Sequence, residues 1–326
     1  MNTIKKIGVL TSGGDAPGMN AAIRAIVRTA IYENLEVAGI FRGYQGLING
    51  EMKSMKSHSV SNIIQRGGTI LKSARSEEFR NSKGRKKAYQ KLTKNNIDAL
   101  VVIGGDGTFT GARIFEEEYD FPIIGLPGTI DNDLYGTDYT IGYDTAINTV
   151  VQAVDKIRDT ADSHDRLFII EVMGRDAGFI ALRSGIATGA EKILVPESKT
   201  YMDNLIRLLK HDWRKNKTSG IIIVAEGDDS GGAFEVARRI NEKFDQYETR
   251  ISILGHIQRG GSPTAMDRVL ASLLGYASIK SLLEGKHGVM VGQVNKEIIQ
   301  TPFEKSIKHH RTINLELLEI SRILAI

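Results

Sequence analysis

Residues 100–108 read LVVIGGDGT, and residues 121–133 read FPIIGLPGTIDND. Each stretch begins as a short apolar run and ends in a segment that contains glycine and aspartate. Apolar runs without polar alternation are typical of strands buried on both faces, and such strands belong mainly to parallel sheets. The two stretches therefore predict buried parallel strands, each followed by a turn of small and acidic residues.

Further apolar runs with the same pattern occur at residues 7–10, 167–173, 221–225 and 251–254. Helical patterns separate the runs. Pro17 is placed as a first-turn residue of one helix, and Ser262-Pro263 as the N-cap and first residue of another. The alternation predicts an α/β protein with two doubly wound domains and mostly parallel sheets. Because ligands bind at the carboxyl ends of such strands, we expect one composite active site in the cleft between the domains.

The composition excludes several classes of protein. The 326 residues allow one large or two moderate domains, and the absence of cysteine excludes disulfides, zinc–thiolate sites and cysteine nucleophiles. The formal charge of +4 suits anionic small molecules and argues only weakly for nucleic acid. With neither a membrane-length apolar stretch nor a signal-peptide pattern, we expect a cytoplasmic protein that binds no nucleic acid or membrane. The basic run at 83–87 is predicted to form a solvated helix face.

Two glycine-rich turns are typical of phosphate binding. In residues 11–18, TSGGDAPG, glycines let backbone N–H groups approach a phosphate at a helix N-terminus. An ordinary tight turn explains that stretch equally well, and it is not the GxGxxG fingerprint of dinucleotide-binding dehydrogenases. Residues 104–108 are more specific, because small residues admit a triphosphate and Asp106 can hold Mg²⁺. A carboxylate at Gly107 would crowd and repel the inner phosphates of ATP.

Asp131 and Asp133 supply a pair of carboxylates after an apolar run. Asp131 can accept the proton of an attacking hydroxyl, while Asp133 orients that hydroxyl or helps the metal. By itself Asp-Asn-Asp is also a common Asx turn. The cations expected at strand ends to hold an anionic substrate are Arg166, Arg175, Arg250, His256 and Arg259. The glycine-rich turns, the pair Asp131 and Asp133, and these cations together predict phosphoryl transfer to an alcohol.

These residues resemble the bacterial ATP-dependent 6-phosphofructokinases, the phosphofructokinase A family, along nearly the whole chain up to about Gln293. The segments that carry the resemblance are 7–20, 66–69, 73–75, 98–108, 125–133, 171–175 and 254–263. The resemblance implies transfer of the γ-phosphoryl group of ATP to the 1-hydroxyl of fructose 6-phosphate, a step of glycolysis, with Mg²⁺ as cofactor. It implies a larger ATP-binding domain at 1–141 with 253–307, and a smaller sugar-phosphate domain at 142–252 with 308–326.

The resemblance implies a role for individual residues of this sequence. Asp131 corresponds to the general base, assisted by Asp133 and Thr129, and Arg175 to the cation that bridges the γ-phosphate in the transition state. The implied ATP-binding residues are Gly13, Tyr44, Arg75, Ser76, Gly105, Asp106, Gly107 and Thr108, with Asp106 on Mg²⁺. The implied sugar-phosphate residues are Thr129, Ile130, Asp131, Arg166, Met173, Gly174, Arg175, Glu226, Arg250, His256 and Arg259. Arg166 and Arg250 would come from a neighbouring subunit of a homotetramer, so that active sites are shared.

The resemblance also bears on the phosphoryl donor and on regulation. Pyrophosphate-using relatives carry aspartate at the position of Gly107 and lysine at that of Gly128, so these glycines favour ATP. The positions of the family's allosteric site are Arg24, Arg28, Ser57, Asn62, Arg158, Glu191, Lys215 and Lys217. Ser57 replaces an arginine and Asn62 an aspartate, and Thr218 replaces one of two lysines. If Ser57 disables this effector site, phosphoenolpyruvate should leave the fructose 6-phosphate saturation curve unshifted.

Three alternatives remain open at this point. Kinases that act on NAD or diacylglycerol share the motif at 104–108, but they do not account for residues 127–133 or 173–175. Pyrophosphate use would keep the fold and change the donor. A nucleotide-binding regulatory subunit without catalysis is the non-enzyme alternative, and the intact Asp106, Asp131 and Arg175 argue against it.

Overall fold

A computed structural model describes residues 4–214, 219–309 and 311–325. The strands are β1 Lys6–Thr11, β2 Glu36–Ile40, β3 Met52–Met55, β4 Ala99–Gly104, β5 Ile123–Pro127, β6 Arg166–Val172, β7 Lys192–Leu194, β8 Gly220–Ala225, β9 Glu248–Ile253, β10 Val289–Val294 and β11 Glu297–Pro302. The α-helices are α1 Met19–Tyr32, α2 Gly43–Asn49, α3 Ser82–Lys94, α4 Asp106–Tyr119, α5 Tyr143–Ser163, α6 Phe179–Ala187, α7 Met202–Arg214, α8 Gly232–Lys243, α9 Ala265–Leu283, α10 Phe303–Lys308 and α11 Leu315–Leu324. Short 3₁₀ helices lie at Ser57–Val60, Glu78–Arg80 and Gly255–Arg259.

The contacts divide the chain into two compact units. Unit 1 comprises Met1–Ile130, Leu134–Thr145 and Arg259–Arg311, and unit 2 comprises Asp131–Asp133, Ala146–Gln258 and Thr312–Ile326. The domain boundaries inferred from the sequence, after residues 141, 252 and 307, stay a prediction.

Unit 1 contains a seven-stranded sheet in the order β11-β10-β5-β4-β1-β2-β3. Its pairings are parallel except at the two edges, where β3 and β11 run antiparallel to their neighbours. The central strand β4, ALVVIG, is buried at every position, as expected for a strand covered on both faces. Because β1, β4 and β5 are adjacent and parallel, the turns that follow them meet at one edge of the sheet.

Unit 2 contains a four-stranded parallel sheet in the order β7-β8-β6-β9. The strand β8, GIIIVA, is buried throughout, and apolar side chains of α7 and α8 join its core. These include Leu205 and Leu209 on α7 and Val236 and Ile240 on α8, at the spacing of one helix face. Among all described residues, no helix is long and apolar enough to span a membrane.

The α/β class and the mostly parallel sheets are confirmed, and every apolar run that predicted a strand lies on one. The same pattern did not reveal β2, β3, β7, β10 or β11. β3 and β11 are exposed along much of their length, and β7 has only three residues. Strands of this kind lack the continuous apolar run that marks a buried strand.

Both predicted helix starts were wrong by about one turn or less. α1 begins at Met19 after an N-cap at Gly18 with φ 107°, so Pro17 precedes the helix. α9 is capped by Thr264, whose hydroxyl accepts a hydrogen bond from the Asp267 N–H. The Ser262 hydroxyl instead donates to the Gln65 carbonyl at 2.8 Å, because long-range packing competes with capping.

Of two burial predictions, one was wrong in part and one was wrong: Lys83, Lys86 and Lys87 are exposed as expected, but Arg85 is not. Arg85, within the basic run at 83–87, is buried and makes two hydrogen bonds of 2.6 and 2.7 Å to Glu118. It also donates to the carbonyls of Phe79 and Arg80, which satisfies a charge that burial would otherwise leave costly. β9 is not buried on both faces but is a partly exposed edge strand.

Candidate active site

The turn at residues 104–108 is shaped by close packing of glycine. A Cβ on Gly104 would lie 2.3 Å from Thr108 Oγ1 and 2.5 Å from the Ser12 carbonyl oxygen, so a side chain there would force the turn apart. Gly105 is the N-cap of α4 and Asp106 its first residue. The backbone N–H groups and partial positive charge of a helix N-terminus thus lie at the end of β4.

Asp106 and Gly107 have contrasting surroundings in this turn. Oδ1 of Asp106 is buried and finds no hydrogen-bond partner within the part of the chain that the structure describes. Such an atom is costly unless a ligand or ion completes it. Gly107 is exposed, and a Cβ built on it would meet no atom within 4 Å. The turn therefore offers one buried acceptor beside open space.

Tyr44 and Thr108 are buried residues that stabilise this turn. Thr108 is buried, and its hydroxyl donates to the Ser12 carbonyl at 3.2 Å. Tyr44 is only 5% exposed, stacks on Phe79, and donates its hydroxyl to the Thr108 carbonyl at 2.7 Å. Burial raises the pKa of the Tyr44 hydroxyl. The structure therefore places Tyr44 where it holds the first turn of α4.

The other predicted ATP-binding residues lie on neighbouring turns. Gly13 has a left-handed φ of 84°, and its carbonyl accepts a 2.5 Å hydrogen bond from the Ser73 hydroxyl. Arg75 follows on the same loop and is exposed. The Ser76 hydroxyl donates to Gln45 Oε1 at 2.8 Å and accepts from the Phe79 N–H. Ser73 thus ties the loop that carries Arg75 to the Gly13 turn.

Thr129 and Arg259 complete the predicted residues of unit 1 at this sheet edge. Thr129 is 8% exposed and lies 3.7 Å from the position of a Cβ on Gly105. Ile130 is fully buried. The Arg259 guanidinium donates to the Asp15 carbonyl at 3.2 Å and covers Gly14, where a Cβ would lie 2.6 Å from its Nη1. A cation therefore lies against the first glycine-rich turn.

Asp131 and Asp133 flank a buried Asn132 with φ 56°. Both carboxylates are partly buried. A left-handed asparagine is typical of a tight turn, and single residues of this kind are common at functional sites. The predicted Asx-like turn and a catalytic role are thus compatible in this segment.

In unit 2, Arg175 follows β6 in a strained turn. Gly174 has φ 143° and Arg175 φ 56°, a conformation that costs free energy for a residue with a side chain. Glu226 Oε1, just past β8, accepts a 2.7 Å hydrogen bond from the Arg175 N–H. A Cβ on Gly227 would lie 2.1 Å from the Arg175 carbonyl oxygen. Glu226 and Gly227 together therefore hold the Arg175 backbone.

Gln258 links two predicted sugar-phosphate segments and was missed by the sequence analysis. It is fully buried, accepts from the Met173 N–H at 3.2 Å, and donates to the Gly255 carbonyl at 3.0 Å. His256 lies in the exposed part of the same 3₁₀ turn. No local pattern distinguishes such a glutamine, because its role depends on the pairing of β6 with β9.

Arg166 and Arg250 lie away from the carboxyl end of the sheet in unit 2: Arg166 is at the amino end of β6, and Arg250 lies inside β9 rather than at a strand end as expected. Arg166 begins β6, and about 20 Å of strand separates it from Val172 at the rise of an extended chain. Glu248, another residue that the sequence analysis missed, accepts from Arg166 Nε at 2.9 Å and also pairs with Arg250. These two arginines form a separate cationic cluster with Glu248.

The predicted effector residues fall into three groups. Arg24 and Arg28 lie one turn apart on α1, and burial followed by repulsion from Arg28 lowers the pKa of Arg24. In unit 2, Arg158 pairs with Glu191 at 3.8 Å and donates to the Thr188 carbonyl. Ser57 and Asn62 are exposed. Lys215 and Lys217 lie outside the described residues.

Comparison with known proteins agrees with this geometry. A family model described as phosphofructokinase matches residues 6–282. The chain is 58% identical to ATP-dependent 6-phosphofructokinase 2 of Bacteroides thetaiotaomicron over 100% of both chains. It is 57% identical to ATP-dependent 6-phosphofructokinase of Cytophaga hutchinsonii over 98% of this chain and 97% of the other. A solved phosphofructokinase of Saccharomyces cerevisiae is 40% identical with a TM-score of 0.88, over 93% of this chain and 45% of that longer one. The chain therefore belongs to the phosphofructokinase family.

Proposed function

We propose that this protein transfers the γ-phosphoryl group of ATP to the 1-hydroxyl of fructose 6-phosphate, giving fructose 1,6-bisphosphate and ADP. The turn at 104–108 carries the proposal, because glycine packing, a helix N-terminus and the buried Asp106 oxygen meet there. These are the features that phosphoryl transfer requires, since its catalysis rests on positioning and on charge stabilisation. Full-length relatives that are 57–58% identical and named for this activity support the choice of substrate.

Asp106 is the residue that we propose as the Mg²⁺ ligand. Mg²⁺ usually binds one or two carboxylates together with substrate phosphates and water. The buried Oδ1 of Asp106 fits this requirement, because it lacks a hydrogen-bond partner among the described residues. When bound, the ion supplies neutralising charge for the transferred group.

Asp131 and Arg175 have the proposed catalytic roles. Asp131 removes the proton from the attacking 1-hydroxyl as that oxygen forms its bond to the γ-phosphorus, while the bond from that phosphorus to the bridging oxygen breaks and ADP leaves. Asp133 and Thr129 orient the hydroxyl. Arg175 stabilises the charge that develops on the transferred phosphoryl group, and the backbone anchorage by Glu226 supports this role.

The proposed donor is ATP rather than pyrophosphate. No protein atom within 4 Å hinders a side chain at Gly107, so the effect of an aspartate there on the donor would come from its crowding and repulsion of the phosphates. At Gly128 a Cβ would lie 2.8 Å from Ile103 and 3.0 Å from Met19, so a longer side chain there needs rearrangement of both. The two positions therefore favour ATP for different physical reasons.

We also propose a homotetramer in which Arg166 and Arg250 serve the 6-phosphate site of a neighbouring subunit. The separation of Arg166 from Arg175 along β6, and the position of Arg250 beside Phe168 on the neighbouring strand β9, support this arrangement. α9 also carries an exposed apolar stripe at helical spacing, formed by Met266, Val269, Leu273 and Tyr276. Stripes of this kind mark protein–protein contacts.

The experiment that tests the proposal is a coupled assay with Mg²⁺ and fructose 6-phosphate, in which ATP is compared with pyrophosphate. Turnover with ATP alone is expected. Turnover with pyrophosphate alone would keep the fold and change the donor, and phosphorylation of NAD or diacylglycerol alone would replace the substrate. Binding of ATP without any turnover would favour the regulatory-subunit alternative.

A further inference from the structure

Residues 61–77 form a long loop without helix or strand, between the 3₁₀ helices Ser57–Val60 and Glu78–Arg80. Loops of more than about 12–15 residues are uncommon in compact domains unless they are functional. This loop contains the motif Arg66-Gly67-Gly68-Thr69 and ends in Arg75 and Ser76. What holds it in place therefore matters for the proposed nucleotide site.

Asn20 on α1 is buried, and its amide is occupied by the backbone of this loop. Its Nδ2 donates to the carbonyls of Arg66 at 3.0 Å and Gly67 at 3.1 Å. Its Oδ1 accepts from the Ile70 N–H at 2.8 Å. The side chain thus uses both donors and one acceptor position on three backbone groups of a single segment.

Thr11, at the end of β1, holds the next part of the loop. It is fully buried, and its hydroxyl donates to the Lys72 carbonyl at 2.8 Å. Since that proton is committed, the Thr69 hydroxyl must donate in the 3.0 Å contact between the two threonines. The Ser73 hydroxyl then reaches the Gly13 carbonyl. Side-chain hydrogen bonds therefore hold the loop at several points between Arg66 and Ser73.

The other side of the loop packs against the chain that follows Arg259. A Cβ on Gly67 would lie 2.2 Å from the Gly261 carbonyl oxygen, so the two backbones are in direct contact. The Ser262 hydroxyl donates to the Gln65 carbonyl at 2.8 Å. Movement of Gly67 would therefore displace the residues that immediately follow Arg259.

We propose that Asn20 and Thr11 are positioning residues for both substrates. They hold residues 65–73 so that Arg75 is fixed on the nucleotide side, and the contact between Gly67 and Gly261 fixes Arg259 on the sugar-phosphate side. Neither Asn20 nor Thr11 needs to touch a substrate for this effect. The assignment of Arg75 and Arg259 to substrates rests on the proposed function.

The test compares Asn20→Asp with the pair Thr11→Val and Thr11→Ser. Asn20→Asp keeps the acceptor for Ile70 but turns an oxygen toward two carbonyl oxygens, and Thr11→Val removes the hydroxyl that Thr11→Ser retains. In Asn20→Asp and Thr11→Val, KM for both ATP and fructose 6-phosphate should rise about tenfold while kcat changes less than about threefold, because ground-state and transition-state binding are lost equally. Amide exchange of residues 70–73 should accelerate, and Thr11→Ser should resemble the wild type.

Ser306→Ala is the matched control for a purely structural effect. Ser306 is buried in unit 1 and donates to the Phe303 carbonyl at 3.1 Å within α10. Its loss should lower Tm without changing either KM. If Asn20→Asp and Thr11→Val behave like Ser306→Ala, the proposal is overturned.

Two further outcomes separate the parts of the proposal. A rise in KM for ATP alone would overturn the link to Arg259, and Gly67→Ala, which should raise KM for fructose 6-phosphate, checks that link directly. If the wild type does not phosphorylate fructose 6-phosphate but Asn20→Asp still weakens equilibrium binding of ATP, the proposed function fails while the positioning of the nucleotide side stands. If Asn20→Asp does not fold, the comparison of Thr11→Val with Thr11→Ser tests the proposal.

Discussion

The proposed nucleotide-binding residues of unit 1 and the proposed sugar-phosphate residues of unit 2 are shaped by different means. Around Gly104, backbone and Thr108 atoms approach so closely that no side chain fits. Around Arg175, the carboxylate of Glu226 holds a strained backbone, and around Arg250 the carboxylate of Glu248 pairs with the guanidinium. It follows that the first region is expected to fail when atoms are added, whereas the second, although Gly227 packs as closely against the Arg175 carbonyl, is expected to fail also when charged groups are removed.

The largest effect is expected from removal of the Asp131 carboxylate. Asp131→Ala should lower kcat by about 10²–10⁴-fold, the usual contribution of a general base. ATP should still bind, because the glycine-packed turn of unit 1 is unchanged. Steady-state kinetics with equilibrium nucleotide binding would measure both, and Asp133→Ala, with a smaller loss, is the comparison. Near-normal turnover of Asp131→Ala would remove it as the base.

The next effect tests the addition of atoms in unit 1. Gly104→Ala should raise KM for ATP by at least about tenfold, because its Cβ would displace Thr108 or Ser12. Gly107→Ala should change it by less than about threefold, because nothing lies within 4 Å. Gly107→Asp should weaken ATP binding much more than Gly107→Ala, through charge. Equal effects of the two alanine substitutions would contradict close packing as the cause.

A moderate effect is expected from the cationic cluster of unit 2. Arg250→Ala should raise KM for fructose 6-phosphate about tenfold, which corresponds to the loss of a charge-assisted hydrogen bond. kcat should change little. Glu248→Gln should have a smaller effect, because both arginines remain. An unchanged KM in Arg250→Ala, measured over a full saturation curve, would argue against the shared subunit site.

The smallest effect concerns the predicted effector residues, where one of the family's charged groups is already replaced by Ser57. If the missing cation at Ser57 disables the effector site, phosphoenolpyruvate should leave the fructose 6-phosphate saturation curve unshifted. Ser57→Arg restores the cation and should introduce a shift to higher half-saturation. A large sigmoidal shift in the wild type would show that Ser57 does not decide the response.

Much of the fold was predictable because buried parallel strands have a local signature. β4 and β8 are continuous apolar runs, and the turns after them contain the residues of interest. The edge strands β3 and β11 have no such signature, since solvent covers part of their surface. The start of α9 was missed because Ser262 bonds to distant Gln65, which no local pattern records.

For the candidate site, residue types alone indicated the groups that are available: the glycine turns, Asp106, the acidic pair at 131 and 133, and Arg175. These depend on residue type and on position after a strand, both of which are local properties. The folded chain was needed to find that Tyr44 is buried and bonds to the Thr108 carbonyl, that Glu226 anchors the Arg175 backbone, and that Asn20 holds the loop at 66–70. Those contacts join residues 46 to 64 positions apart, and their geometry depends on how parallel strands and loops pack rather than on any neighbour in the chain.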